Sequence, residues 1–145
     1  EEDYIFVYLL RQCPELIESA RVIAGTTGRR VVYVSDVGLP IPGAQNLYGI
    51  GPEGFVSLIA NAGLVLTNSF HASVFSVLFR KPFRVFATDE SGSRMRGLLC
   101  ELGLSDRCVA EADAGPVPEA DWADAHRRLG VLRRHSLDYL ERALS

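Results

Sequence analysis

Lysine, methionine and tryptophan are each nearly absent from this sequence. Lys81 is the one lysine among 15 basic residues, a bias toward arginine that reads as genomic base composition rather than as chemistry. Neither sign of charge dominates: 18 acidic residues against 15 basic ones leave a net charge of −3. A nucleic-acid binder normally carries a basic field, so that class is excluded. No apolar run approaches the ~18 residues that cross a bilayer. The three cysteines, Cys13, Cys100 and Cys108, are odd in number and form no C-x-x-C pair, which excludes a zinc knuckle and a disulfide framework. They predict a reducing compartment. Cys100, among leucines on a predicted helix, reads as core filler. The one methionine is Met95 and the chain opens Glu1-Glu2-Asp3, as expected of a processed chain or a piece of a longer one. No signal peptide opens it. What is present is ordinary globular material: 145 residues, 48% hydrophobic and 23% charged, enough for one domain with a real core.

Apolar runs alternate with helical patterns. Residues 4–10 (YIFVYLL) read as a buried strand. Pro14 suits a first helical position, and Leu16, Ile17, Ala20, Ile23 and Ala24 recur at helical spacing up to Gly25 and Gly28. Residues 30–35 (RVVYVS) read as a second strand and residues 38–51 as a loop rich in Gly and Pro. Pro52 opens the next helix, whose stripe is Phe55, Leu58, Ile59 and Ala62. Residues 64–67 form a third strand, and Asn68 or Ser69 caps a helix carrying Phe70, Val74, Val77 and Leu78. Residues 82–87 form a fourth strand. Ser91 or Ser93 caps a helix with Met95, Leu98, Leu99 and Leu102 inside and Gly103 near its end. Residues 107–110 are briefly extended. A last helix has the seam Trp122, Ala125, Leu129, Leu132, Ser136, Tyr139 and Ala143. The alternation predicts an α/β fold: an open, mostly parallel sheet with helices on both faces.

Ligands of such sheets bind beyond the carboxyl ends of the strands. Three junctions fall there: residues 48–53, 67–73 and 89–94. In Thr67-Asn68-Ser69-Phe70-His71-Ala72-Ser73, polar groups gather at a helix N-terminus, whose unpaired N–H groups suit phosphate or carboxylate. His71 there can donate a proton or a hydrogen bond to an anion. An equal reading is that Asn68 and Ser69 only cap the helix and His71 is a buried, satisfied side chain. In Ser91-Gly92-Ser93-Arg94 the arginine opposes the helix dipole, which points to an anion partner; the alternative is a pair with Asp89 or Glu90. Arg96 reads as surface. Glu53 caps its own helix or, less favoured, holds a ligand hydroxyl. His126, Arg127, Arg128, Arg133, Arg134 and His135 read as a solvated face, with contact to anionic lipid or another domain as the alternative. No metal site is expected.

Several runs together resemble the polysaccharide pyruvyl transferase family. They are Gly51-Pro52-Glu53-Gly54-Phe55-Val56-Ser57-Leu58-Ile59, Asn61-Ala62, Thr67-Asn68-Ser69-Phe70-His71, Phe75-Ser76 and Lys81-Pro82-Phe83, then Ser93-Arg94, Leu98-Leu99, Leu102-Gly103-Leu104, Asp106-Arg107 and Arg134-His135-Ser136-Leu137-Asp138-Tyr139-Leu140. The resemblance spans nearly the whole chain in order. It implies the Rossmann-like C-terminal domain of a two-domain enzyme of the GT-B type. Residues 1–110 would be the donor-binding domain, 111–118 a linker, and 119–145 a helix packed on the same domain or on an absent N-terminal one.

The implied reaction moves a pyruvyl group from phosphoenolpyruvate to a sugar of a bacterial exopolysaccharide as a ketal. Phosphoenolpyruvate is then the donor substrate, and no cofactor is implied. His71 would be catalytic, and Asn68, Ser69, Ser93, Arg94 and Glu53 substrate-binding. The implied partners are the N-terminal domain and a sugar or lipid-linked saccharide acceptor. The expected location is cytoplasmic, or peripheral at the inner face of the membrane. Some members have Arg-Leu-His-Gly where this chain has Ser69-Phe70-His71-Ala72, a departure that leaves the donor open. Rival readings are a nucleotide-sugar glycosyltransferase half-domain and a non-catalytic flavodoxin-like interaction module.

Overall fold

Six strands lie side by side in the order β3-β2-β1-β4-β5-β6, and every ladder between them is parallel. The computed structural model that shows this describes residues 3–87 and 92–145. The strands are β1 (Tyr4–Tyr8), β2 (Arg30–Tyr33), β3 (Gln45–Asn46), β4 (Leu64–Thr67), β5 (Phe83–Phe86) and β6 (Cys108–Val109). The helices are α1 (Pro14–Thr27), α2 (Pro52–Asn61), α3 (Phe70–Leu78), α4 (Gly92–Glu101) and α5 (Trp122–Leu144). The architecture is the open, Rossmann-like α/β sheet that the alternation of elements predicts.

Side-chain alternation divides the core in two. Tyr4, Phe6, Val65, Phe83 and Val85 face one side, where Ile59 of α2, Ala72 and Val77 of α3, Met95 and Leu99 of α4 and Ala125 of α5 cover them. Ile5, Val7, Val31, Leu64, Leu66 and Phe86 face the other side, against Leu16, Ala20 and Ile23 of α1. Phe6 and Phe83 are fully buried, each worth about 2 kcal/mol of apolar burial. Among the described residues, no helix continues this face from α1 toward β5. There the segment 111–118 lies across the sheet instead, with Val117 packed against the same core.

Local chemistry sets the ends of the elements. Pro14 and Pro52 open their helices at positions whose N–H would be unpaired anyway. Gly28 ends α1 in the left-handed region, its N–H on the Ala24 carbonyl. Gly103, at φ +72, does the same after α4 while the Leu104 N–H turns back to the Leu99 carbonyl.

Five readings are corrected. The strand predicted over 4–10 stops at Tyr8, where its partner β4 also ends, and Leu10 is exposed. The loop predicted over 38–51 holds β3, a two-residue edge strand of polar residues that carries no apolar signal. Cys100 is exposed: it follows the buried Leu99 by one residue and so falls off the inward face, whereas Cys13 is the buried cysteine. The seam of α5 is covered only through Leu132, and Tyr139 is exposed where the helix runs past the sheet. His126 belongs to no solvated face, because its Nε2 lies 2.9 Å from the Val77 carbonyl at the end of α3. No helix among the described residues is long and apolar enough to cross a membrane.

Candidate functional site

The chain steps from β1 out to β2 and β3 on one side, then returns to β4 and continues to β5 on the other. Strand order therefore reverses between β1 and β4, and a crevice beyond their carboxyl ends is the binding position of this architecture. Four hydrogen bonds tie that position together. The Thr67 hydroxyl donates to the Tyr8 carbonyl at 2.7 Å and accepts from the Ser69 N–H at 2.9 Å. The Asn68 Oδ1 accepts from the Leu10 N–H at 2.8 Å, and its Nδ2 donates to the Arg11 carbonyl at 3.1 Å. Asn68 is thus no cap for α3. It binds the loop after β1 to the end of β4.

The cap of α3 is Ser69, whose buried Oγ accepts from the Ala72 N–H at 3.3 Å. Ser73 donates to the Ser69 carbonyl and lies 3.5 Å from the Met95 sulfur, joining the starts of α3 and α4. Asn68 and Ser69 therefore spend their side chains on the protein itself.

His71 does not. It stands exposed in the first turn of α3, its ring edge-on to Phe70 at 6.1 Å between centroids. The Arg94 guanidinium lies 5.0 Å above the same Phe70 ring, a cation–π contact. Phe70 thus touches an imidazole from its own helix and a guanidinium from the start of α4. Ser93 is exposed in the turn that carries Arg94. Asp89, Glu90 and Ser91, offered above as pair and cap, lie outside the described residues. Glu53 is exposed in the first turn of α2, where it supplies negative charge to the positive helix end. Two residues on, Phe55 packs edge-on against Tyr8 at 4.7 Å, so α2 begins beside the carboxyl end of β1. No hydrogen bond joins Glu53 to His71 or Arg94 among the described residues. A cavity of about 210 Å³ opens on this edge between residues 9–12 and 35–39.

Gly92 serves close approach rather than turning alone. A Cβ there would sit 2.6 Å from the Ala87 Cβ. Arg96 is exposed, as predicted, and its Nη1 donates to the Ala87 carbonyl at 3.1 Å, which secures the end of β5.

Two buried arginines lie outside the residues predicted for the site. Arg84 sits inside β5, buried, with Nη1 on the carbonyls of Asp113 and Gly115 at 2.8 and 3.1 Å and a 3.4 Å ion pair to Asp113. Burial pushes its pKa down, Asp113 pushes it back up, and the nearby Arg107 adds to the lowering. Arg107 is buried as well and donates to the Pro118 carbonyl. A charged residue in the otherwise apolar run PFRVFA was the available signal for Arg84. Among the described residues, no group of three or more His, Cys, Asp or Glu gathers as a metal site.

The model of the polysaccharide pyruvyl transferase family matches residues 27–90. That segment contains Glu53, Asn68, Ser69 and His71, and the chain is similar over it to the family its residues resemble. A search of curated proteins returns no match. Among solved structures, the chain is similar to the UDP-GlcNAc 2-epimerase of Methanocaldococcus jannaschii (TM-score 0.60, 13% identity), covering 92% of this chain and 46% of that one. A second structure of that enzyme, in complex with UDP-GlcNAc and UDP, gives a TM-score of 0.56 at 14% identity, with the same coverage of both chains. The UDP-GlcNAc 2-epimerase of Neisseria meningitidis, bound to UDP-GlcNAc, gives 0.57 at 10% identity, covering 95% of this chain and 37% of that one. At such identities the likeness shows the fold. The chain spans less than half the length of these proteins.

Proposed function

We propose that this chain is the donor-binding half of a polysaccharide-modifying transferase that moves a pyruvyl group from phosphoenolpyruvate to a sugar. The observation that carries the reading is the family match over residues 27–90, which includes the β4–α3 junction. The contacts of His71 and Arg94 to the same Phe70 ring beyond that junction support it. The donor bears a phosphate and a carboxylate, and a guanidinium beside a helix N-terminus suits either.

In this reading, His71 delivers a proton to the methylene carbon of the donor. The carbon bearing the phosphate becomes electrophilic, and one sugar hydroxyl bonds to it and loses its proton. The carbon–oxygen bond to phosphate then breaks, and the second hydroxyl closes the ketal. Of the two hydroxyl protons, one replaces the proton given to carbon and one leaves with phosphate. Arg94 holds the anion as charge moves onto it. Asn68 and Ser69 act as positioning residues, and Ser93 and Glu53 offer hydroxyl and carboxylate at the rim. A second domain of the same enzyme supplies the opposite wall of the cleft and the acceptor site.

The second reading is a nucleotide-sugar enzyme of the same fold. It is favoured by one observation: two of the similar structures hold UDP-GlcNAc. Calorimetric titration of the whole enzyme with phosphoenolpyruvate and with UDP-sugars separates the two. Phosphoenolpyruvate binding is expected to weaken at least roughly tenfold in Arg94→Ala, as loss of a charge-assisted contact does. His71→Ala is expected to lose turnover more than binding. Binding of UDP-sugars without phosphoenolpyruvate selects the second reading. Intact binding and turnover in both variants removes these residues from the site.

A further inference from the structure

The sheet edge opposite the candidate site holds a cavity of about 300 Å³. Its walls include Arg80 after α3, Arg107 before β6, Glu119 and Trp122 at the start of α5. Arg107 is 2% exposed. Its two terminal nitrogens are engaged, by the Asp106 carboxylate and the Pro118 carbonyl. Its Nε–H, also buried, has no acceptor among the described residues. A buried guanidinium N–H without an acceptor is costly, and an acceptor brought by a ligand offsets that cost. Arg80 adds a second cation to the same wall, from a backbone held in place. Its backbone is in the left-handed region, at φ 54, and its N–H is bound to the Val77 carbonyl. Two guanidinium groups select an oxyanion. Glu119, on the same wall, rejects a bare anion and accepts hydrogen bonds from hydroxyls. Trp122, stacked on Phe83, offers an apolar surface suited to the C–H face of a sugar ring.

We propose that this cavity binds an acidic saccharide unit, a sugar carrying a carboxylate or a phosphate. The oxyanion lies on Arg107 and Arg80, a hydroxyl lies on Glu119, and the ring covers Trp122. The site shares no residue with the His71 and Arg94 pair and stands independently of the reaction proposed above.

Trp122 is the one tryptophan of the chain, so the chain's tryptophan fluorescence comes from a wall of this cavity. The chain is titrated at constant ionic strength with glucuronate, glucose 6-phosphate, glucose and sulfate. A saturable change with either acidic sugar is expected, and which of the two responds identifies the anion. Glucose and sulfate are expected to bind at least roughly tenfold more weakly, since each lacks one half of the recognition. Arg80→Asn, which the left-handed backbone tolerates, is expected to weaken the acidic sugar roughly tenfold with an unchanged melting temperature. His71→Ala is expected to leave the titration unaltered. Equal response to glucose or sulfate, no saturable response, full affinity in Arg80→Asn, or loss of response in His71→Ala each overturns the proposal.

Discussion

Arg84 and Arg94, at the two edges of this sheet, serve opposite ends. At the amino edge Arg84 and Arg107 are buried. In the segment 113–118, the Arg84 terminal nitrogens sit on carbonyls of residues 113–116, and those of Arg107 on the Pro118 carbonyl and, outside it, the Asp106 carboxylate. That segment has no helix or strand to satisfy its own backbone, and the planar, many-donor guanidinium does so for it. Asp113 completes the attachment, its N–H donating to the Ser19 hydroxyl on α1. At the carboxyl edge Arg94 is exposed, rests on an aromatic ring and has no carboxylate partner among the described residues. The lesson is that an arginine's environment separates structural from chemical use. The Arg84 fork, filled by carbonyls, holds the chain, and the Arg94 guanidinium, with no carboxylate among the described residues, is available to an anion. Arg107 stands between them, its Nε–H still unmatched among those residues.

The sharpest break of this comparison is Arg84→Met. It keeps the volume and removes every donor to the 113–116 carbonyls, so the loss is expected to be about 3 kcal/mol in urea denaturation. A loss below about 1 kcal/mol would mean that water replaces the arginine and that the segment is not held by it. Next is Gly92→Ala at the opposite edge. With 2.6 Å to the Ala87 Cβ, the added methyl must push β5 and α4 apart, an overpacking cost of about 1–3 kcal/mol by the same measurement. An unchanged midpoint would show that the start of α4 can shift freely, and Arg94 with it.

Asn68→Ala should be milder, about 1 kcal/mol, because its two hydrogen bonds join segments that water also reaches. Its signature is local: amide exchange at Leu10 accelerates while the core amides keep their protection. Uniform acceleration instead would make Asn68 part of the global fold rather than a tie across the crevice.

These contrasts also mark what could be read in advance. The order of elements was legible because apolar runs and helix starts are local signals: Pro14 and Pro52 open α1 and α2 as their chemistry predicts, and Leu64–Thr67 is a strand to the residue. The edge strand Gln45–Asn46 was not, since it is defined by backbone pairing to Val32 and Tyr33 and has no apolar face. The end of α5 was misjudged for the converse reason: its periodicity continues past the surface that could bury it. At the site, topology placed the junctions on one edge, yet the duty of Asn68 depends on Leu10 and Arg11, far away in sequence. Arg84 carries a readable signal, a charge inside a doubly covered strand. Arg107 carried none, because its partner Pro118 is found only by folding.

The smallest expected effect on stability belongs to the residues assigned the chemistry. His71→Ala and Arg94→Ala should each change the urea midpoint by no more than about 0.5–1 kcal/mol, the worth of an exposed ring contact or cation–π pair. Such substitutions leave the Ser69 cap and the Ser73 contact to Met95 intact, so the starts of α3 and α4 keep their places. The comparison turns on this pairing of outcomes. Arg84→Met should unfold the chain more readily, while Arg94→Ala should leave the fold and weaken the donor. If Arg94→Ala instead costs as much stability as Arg84→Met, its guanidinium is a brace for Phe70, and the anion at this edge must be held by other groups.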